Sequence, residues 1–253
     1  MSSAEPRPAL DGHTVLITGA ARRVGAQMAR ILHAAGARVV IHHHHSQAEA
    51  CALVAGFNAE RPDSALALQA DLLDLSALPR LVEATVEHFG GLHVLINNAS
   101  TFYPTPLGEI GASQWDDLIG TNLRAPLFLT QAAAPHLRAA RGLVLNIVDI
   151  HGLRPLRDHT VYCAAKAGLI MLTRAFARDL APDVRVNAIA PGPVLWPEEP
   201  LSGERKARIL DQTPLHHVGS PEDIARTALF FATQAPFVTG QILAVDGGRS
   251  IGW

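Results

Sequence analysis

Seven short apolar runs recur along the chain, and between most of them apolar positions return every three or four residues. The runs are HTVLIT (13–18), ARVVIH (37–42), ALALQA (65–70), LHVLIN (92–97), GLVLNIVD (142–149), VRVNAIA (184–190) and QILAVD (241–246). The intervening stretches 23–35, 46–60, 76–89, 113–140, 160–180 and 221–233 have the helical period. Strands alternating with helices at this rhythm predict a doubly wound, mostly parallel seven-stranded sheet with helices on both faces. Pro126 and Pro135 predict strain or a break in the fourth helix. Ser220, Pro221 and Asp223 have the chemistry of a helix start: a cap, a first-turn proline and an acid near the positive end. Between Pro191 and Leu215 the alternation lapses into prolines and one short amphipathic piece, which predicts a lid or substrate loop over 191–215. No internal repeat, low-complexity tract or linker divides the sequence, so 1–253 reads as one domain.

Composition narrows the class. At 253 residues, 48% hydrophobic and 17% charged, the chain has the apolar content of a globular protein and not of a disordered one. A formal net charge of −2 provides no broad basic field for nucleic acid or an anionic membrane, so anion recognition is expected to be local. Cys51 and Cys163 form neither a disulfide framework nor a metal-ligand spacing, which fits a reducing compartment. No run approaches the ~18 apolar residues of a membrane span. The opening MSSAEPRPALDG lacks a cationic-then-apolar leader, and the expectation is a soluble cytoplasmic protein.

The sequence VVIHHHHSQAEA sets four histidines, His42 to His45, directly after an apolar run. A purification tag belongs at a chain end, which these are not. A zinc site needs converging ligands, whereas neighbours on an extended backbone alternate between faces and no Cys/His partner completes a set nearby. No metal is expected. The histidines are then part of whatever the end of the second strand is used for.

The first strand runs into TGAARRVG (18–25) and then a helix. Such a turn lets Gly19 approach a pyrophosphate while the helix N-terminus offers amides and a positive dipole. Downstream come Asp71, NNAS (97–100), Asn122, Tyr162 with Lys166 four residues on, and Pro191-Gly192. Taken in order, these residues resemble the short-chain dehydrogenases/reductases over nearly the whole chain, with Arg23 in place of the middle glycine of their Thr-Gly-x-x-x-Gly-x-Gly loop. The resemblance implies a Rossmann-like fold. It also implies a dinucleotide site contacted by Gly19, Arg22, Arg23, Val24, Gly25, His44, His45, Ser46, Asp71, Leu72, Asn98, Ala99, Ser100, Tyr162, Lys166, Pro191 and Gly192. No carboxylate follows the second strand, where an NAD site would bond a ribose hydroxyl. Imidazole and hydroxyl donors there, with Arg22, favour the extra phosphate of NADPH, and His45 stands where related reductases often have arginine. Because histidine titrates near neutrality, affinity for NADPH is expected to fall as pH rises.

Within the same resemblance Tyr162 is the general acid, and Lys166 holds the nicotinamide ribose and favours tyrosinate. Asn122 maintains the site's water and helix geometry. Thirteen residues before Tyr162, where most members have serine, this chain has Asp149. A carboxyl group can manage a proton at a basic ring nitrogen, so Asp149 points to C=N rather than C=O reduction; its plainer alternative is a strand-end turn residue. Together with TGAARRVG, HHHHS and AEA, the phrase NNASTFYPTP makes the chain resemble the pteridine reductases of this superfamily. That resemblance implies a dihydropterin substrate, with oxidised pterins and dihydrofolate as further acceptors, contacted by Arg23, Ser100, Phe102, Asp149, Tyr162 and Trp196. Phe102 is either a stacking platform or packing, Trp196 either covers substrate or packs its loop, and Cys163 is expected to pack. The superfamily likeness implies a homotetramer, and the C-terminal GGRSIGW is a candidate subunit contact. The competing readings are a 3-oxoacyl or other carbonyl reductase and a non-catalytic NADP-binding sensor.

Overall fold

The computed structural model describes residues 9–196 and 202–251. Residues 197–201 of the expected lid and the last two residues of GGRSIGW lie outside the described residues. Seven strands form one sheet: β1 (Thr14–Ile17), β2 (Arg38–His43), β3 (Ala65–Gln69), β4 (Val94–Asn97), β5 (Leu143–Ile147), β6 (Arg185–Pro191) and β7 (Ile242–Val245). Their order is β3-β2-β1-β4-β5-β6-β7, and every pairing is parallel. The chain works outward from β1 to β3 and then crosses back to β4. That reversal opens a crevice beyond the C-terminal ends of β1 and β4, the place where ligands bind in such sheets.

The helices are α1 (Arg23–Ala34), α2 (Gln47–Glu60), α3 (Ala77–Phe89), α4 (Ala112–Ile119), α5 (Ala125–Ala140), α6 (Thr160–Asp179), α7 (Gly203–Asp211) and α8 (Pro221–Thr233). Strand side chains alternate between two cores. Val15, Ile17, Val39 and Ile41 pack with Met28 and Leu32 of α1 and with Ile224 and Phe231 of α8. Leu16, Val40, Leu95 and Val144 face the other way, onto Leu78 and Leu81 of α3 and Leu129 and Leu137 of α5. Burying both faces explains why these strands read as continuous apolar runs. Each such side chain contributes about 1.5–3 kcal/mol when fully buried, and this rigidity fixes where the strand ends stand.

Ser220 caps α8 as its sequence suggests: its hydroxyl accepts from the Asp223 N–H at 3.3 Å, and the Asp223 carboxylate accepts from the Ser220 N–H at 2.7 Å. The stretch expected as one helix over 113–140 is divided by a π-turn at Gly120–Arg124 between α4 and α5. Pro126 sits in the first turn of α5, directly after the π-turn. Pro135 lies inside α5 without ending it, because Leu129, Ala133 and Leu137 hold the helix to the core on either side. The short amphipathic piece expected within 191–215 is α7.

Candidate active site

Backbone geometry builds the crevice first. Gly19 has φ +60°, and a Cβ there would stand 2.9 Å from the Ala99 Cα, so only glycine fits. A Cβ on Gly25 would lie 2.6 Å from the Gly19 carbonyl oxygen. Arg23 adopts φ +53° without being glycine. The loop therefore keeps its left-handed residue at the position where the family pattern has glycine, at a cost of about 1 kcal/mol. Asn98 clasps this loop: its amide donates to the Thr18 carbonyl at 2.8 Å and the Gly19 carbonyl at 3.1 Å. In return the Thr18 hydroxyl accepts from the N–H groups of Asn98 and Ala99, at 2.9 and 3.0 Å.

The four histidines divide into two pairs. His42 and His43 finish β2 and are buried. His42 Nδ1 accepts from the Gly19 N–H, while its Nε2–H donates to the Ala70 carbonyl, both at 3.1 Å. This pattern fixes one neutral tautomer, and burial lowers the His42 pKa to about 4. His42 thus ties the ends of β1, β2 and β3 together. His44 and His45 lie past the strand and are exposed, with ring centroids 3.6 Å apart rather than on opposite faces.

The crevice is a cavity of about 680 Å³. Its wall includes Gly19, Arg22, Arg23, Val24 and Gly25 of the loop, His44, His45 and Ser46 after β2, Asp71 and Leu72 after β3, and Asn98, Ala99 and Ser100 after β4. The first-turn amides of α1, the left-handed loop and the imidazoles at the far end form a donor set that suits a phosphate-bearing dinucleotide. Arg22 stands 4.0 Å from Glu49 on the exposed surface, so its charge is partly answered within the chain. Asp71 accepts from the Leu73 N–H at 2.9 Å and shapes the turn beside the cavity.

The end of β5 and the start of α6 form a second cluster. One Asp149 oxygen accepts from the His151 N–H at 2.7 Å and caps a 3-10 turn at Ile150–Gly152. The other accepts from the Tyr162 hydroxyl, also at 2.7 Å. The turn-residue and proton-handling readings of Asp149 are therefore compatible, each using one oxygen. Lys166 is buried, donates to the Ile147 carbonyl at 3.0 Å and stands 5.6 Å from the centre of the Tyr162 ring. Burial, then the Asp149 carboxylate, raises the Tyr162 pKa well above its ordinary value, while a hydrogen bond with Ser100 opposes. Burial lowers the Lys166 pKa to about 8, against the pull of Asp149.

Asn122 comes from the π-turn. Its amide donates to the Thr101 carbonyl at 3.0 Å and the Leu118 carbonyl at 2.9 Å, while its oxygen accepts from the Ser100 hydroxyl at 2.6 Å. Two hydrogen-bonded pairs thus stand side by side, Ser100 on Asn122 and Tyr162 on Asp149, with π-helical geometry aiming Asn122. Asn146 went unassigned from sequence: it accepts from the Asn97 amide at 2.8 Å and donates to the Thr173 hydroxyl at 2.9 Å, locking β4, β5 and α6 together. A polar residue in an otherwise apolar β5 run was the available signal.

Asp149 and Tyr162 open onto a further cavity of about 740 Å³, with Phe102, Pro191, Gly192 and Trp196 in its wall. Phe102 is 51% exposed. It lies flat against His159, at 4.6 Å and 19°, and meets Tyr162 edge-on at 4.8 Å. His159, also unassigned from sequence, is buried and held by the Arg157 carbonyl at 2.8 Å. The Trp196 carbonyl accepts from the Arg23 guanidinium at 3.3 Å, and the Lys206 ammonium lies 5.5 Å from the centre of its ring. Arg23 and Ser100, expected at the substrate, line the first cavity, and Arg23 reaches the loop after β6. Tyr103 donates to Asp117 at 2.9 Å, and Cys163 packs with Leu118, Val161 and Tyr162. Among the described residues no three His, Cys, Asp or Glu side chains gather to hold a metal, and no helix is long and apolar enough to cross a membrane.

Residues 19–250 match the family described as enoyl-(acyl carrier protein) reductase. The chain belongs to the short-chain dehydrogenase/reductase superfamily. It is 37% identical to pteridine reductase 1 of Leishmania tarentolae, over 93% of this chain and 96% of that one. It is 36% identical to a 3-oxoacyl-(acyl-carrier-protein) reductase of Staphylococcus aureus, over 93% and 97%. The crystal structure of a blue fluorescent protein from a metagenomic library, in complex with NADPH, superposes with a TM-score of 0.90 at 34% identity, covering 95% of this chain and 99% of that one. Membership makes this chain an oxidoreductase, and relatives of two substrate classes stand at nearly equal distance.

Proposed function

We propose that this short-chain reductase is a pteridine reductase, taking NADPH and a dihydropterin to the tetrahydropterin, with oxidised pterins and dihydrofolate as further acceptors. The observation that carries the reading is the Asp149 carboxylate, 2.7 Å from the Tyr162 hydroxyl. Reducing a carbonyl builds negative charge on oxygen, which a carboxylate opposes. Reducing C=N at a ring nitrogen needs a proton delivered there, which a phenol backed by a carboxylate can supply. The 37% identity to a pteridine reductase supports the same choice.

NADPH supplies the hydride. Gly19, Val24, Gly25 and the α1 N-terminus hold its pyrophosphate in this reading, Asp71 and Leu72 lie by the adenine, and His44, His45, Ser46 and Arg22 meet the 2′-phosphate. Asn98, Ala99, Lys166, Pro191 and Gly192 border the nicotinamide side. Tyr162, kept neutral by its buried surroundings, retains the proton that it gives up. Asp149 receives and returns protons at the oxygen that meets the Tyr162 hydroxyl while the other keeps its place on the turn. Phe102, backed by His159, offers a flat face for a bicyclic ring, and stacking there supplies orientation. Trp196 flanks the same cavity, and α7 lies along it.

The second reading is 3-oxoacyl reduction, favoured by the 36% identical relative. A rate assay with NADPH against dihydrobiopterin, dihydrofolate and acetoacetyl thioester separates the two. Turnover of thioester alone refutes the pterin assignment, and turnover of any acceptor rules out a non-catalytic sensor. The same reading carries a cytoplasmic homotetramer, measurable as mass in solution by light scattering.

A further inference from the structure

The cavity that begins at Tyr162 and Asp149 continues to α7, and its far wall is cationic. Among the described residues, Arg157, Arg205, Arg208 and Arg249 line it, with Asp149 and Glu204 as carboxylates. Asp149 is already engaged by Tyr162 and His151. Arg157 leans toward Asp158 at 3.7 Å and extends into solvent. Arg249 is buried and donates to the Ile209 carbonyl at 2.9 Å and the Gln212 side chain at 3.2 Å, so it underpins α7. Arg205 and Arg208 are three apart on α7, share a face and are exposed. Among the described residues neither forms an ion pair. With a net charge of −2, the chain has no general excess of cations, so among the described residues this wall is a local concentration.

A ring stacked on Phe102 beside Tyr162 occupies one end of a cavity of about 740 Å³, a size typical of sites for larger organic ligands. The remainder holds whatever hangs from that ring, and it passes α7. Guanidinium groups pair with carboxylates and phosphates through two parallel N–H donors, and they keep their charge at every working pH. We propose that the substrate carries an anionic tail, carboxylate or phosphate, and that Arg205 and Arg208 select it. The inference rests on Phe102, Asp149 and Tyr162 forming the reducing end of this cavity, as proposed above, and not on the identity of the ring.

Two matched pairs of acceptors test it. Dihydrofolate bears carboxylates where dihydrobiopterin bears a neutral chain; acetoacetyl-coenzyme A bears phosphates where acetoacetyl-N-acetylcysteamine bears none. For each pair the ratio of kcat/KM, anionic over neutral, is measured in the wild type, in R205Q/R208Q and in E204Q. The double variant is expected to lower the ratio about fivefold, the scale of one or two half-exposed charge pairs. E204Q is expected to raise it, since a carboxylate leaves the same wall. A ratio equal in the wild type and the double variant overturns the proposal. A shift confined to the folate pair identifies the tail as carboxylate, and one confined to the thioester pair as phosphate. If only thioesters react, the pterin reading fails and the thioester ratio alone decides the tail. If none reacts, calorimetric affinities of the same pairs for NADPH-loaded protein replace kcat/KM. Should the double variant unfold, raising KCl to about 0.5 M with the wild type decides: a falling ratio supports tail selection and a flat one overturns it.

Discussion

The two cavities are built from different materials. The cofactor-side crevice is shaped by backbone: a left-handed Gly19 against Ala99, Arg23 forced to φ +53°, and Asn98 and His42 bonded to main-chain groups. The substrate-side cavity is shaped by side chains: the Asp149–Tyr162 pair, the Phe102–His159 stack, and the arginines of α7. Backbone geometry tolerates few sequences, so the crevice is fixed by the fold. Side chains change one at a time, so the other cavity is where members of one superfamily part company. Relatives acting on pterins and on acyl thioesters can thus stand at 37% and 36% identity to the same chain.

Perturbing each side should give effects of different kind and size. The largest is expected from Tyr162→Phe, which removes the donor to Asp149: turnover should fall about 10²- to 10⁴-fold with NADPH affinity retained. Stopped-flow rates alongside cofactor titration check this, and an equal loss in both would move Tyr162 from chemistry to binding.

His42→Leu probes the backbone side. It leaves the Gly19 N–H and the Ala70 carbonyl without their partner, at about 1–3 kcal/mol. A weakening of NADPH binding of about tenfold is expected, with little change in kcat at saturation. Wild-type stability carries a related signature. Because the folded His42 pKa of about 4 lies below the unfolded 6.5, the unfolded chain takes up the proton first as pH falls. His42 thus contributes stability that is whole above pH ~6.5 and is lost toward pH ~4, up to about 3 kcal/mol. Chemical denaturation at pH 7.5 and 4.5 should show a smaller acid loss in His42→Leu than in the wild type; equal losses would remove His42 from this role.

A milder effect is expected from pH on the substrate side. Lys166, lowered to about 8, sheds its charge as pH rises through that value, and kcat should decline by several-fold between pH 7.5 and 9.5. A flat profile would mean that the Lys166 charge is not used. The smallest effect belongs to the exposed rim: His45→Ala should reduce the preference for NADPH over NADH only a few-fold, because an exposed polar contact contributes less than about 1 kcal/mol. An unchanged preference would leave the 2′-phosphate to Ser46 and Arg22.

The legibility of the sequence follows the same division. The strands could be placed because burial on both faces leaves continuous apolar runs, and Gly19 and Asn98 sit in motifs imposed by close backbone approach. The π-turn at Gly120–Arg124 was not legible: a single wider turn of five residues is too short to alter the apolar period, and prolines drew the expected break toward Pro126 and Pro135. His42 was seen only as the end of a strand, since its bond to Gly19 spans 23 residues. His159 behind Phe102 spans 57, and no local pattern reveals a stack of that range. The upward shift of Tyr162 depends on burial and on Asp149 together, which spacing to Lys166 does not contain. Residue types at the site were readable, but their mutual electrostatics were not.

The claim that Asp149 directs the chemistry to C=N is tested most directly by Asp149→Ser, which installs the residue most of the superfamily has there. The measurement is kcat/KM with NADPH for dihydrobiopterin and for an acetoacetyl thioester, in wild type and variant. The account predicts that the dihydrobiopterin value falls about 10²-fold or more while the thioester value holds or rises. Equal loss on both acceptors, or dihydrobiopterin reduction undiminished by the serine, would contradict it.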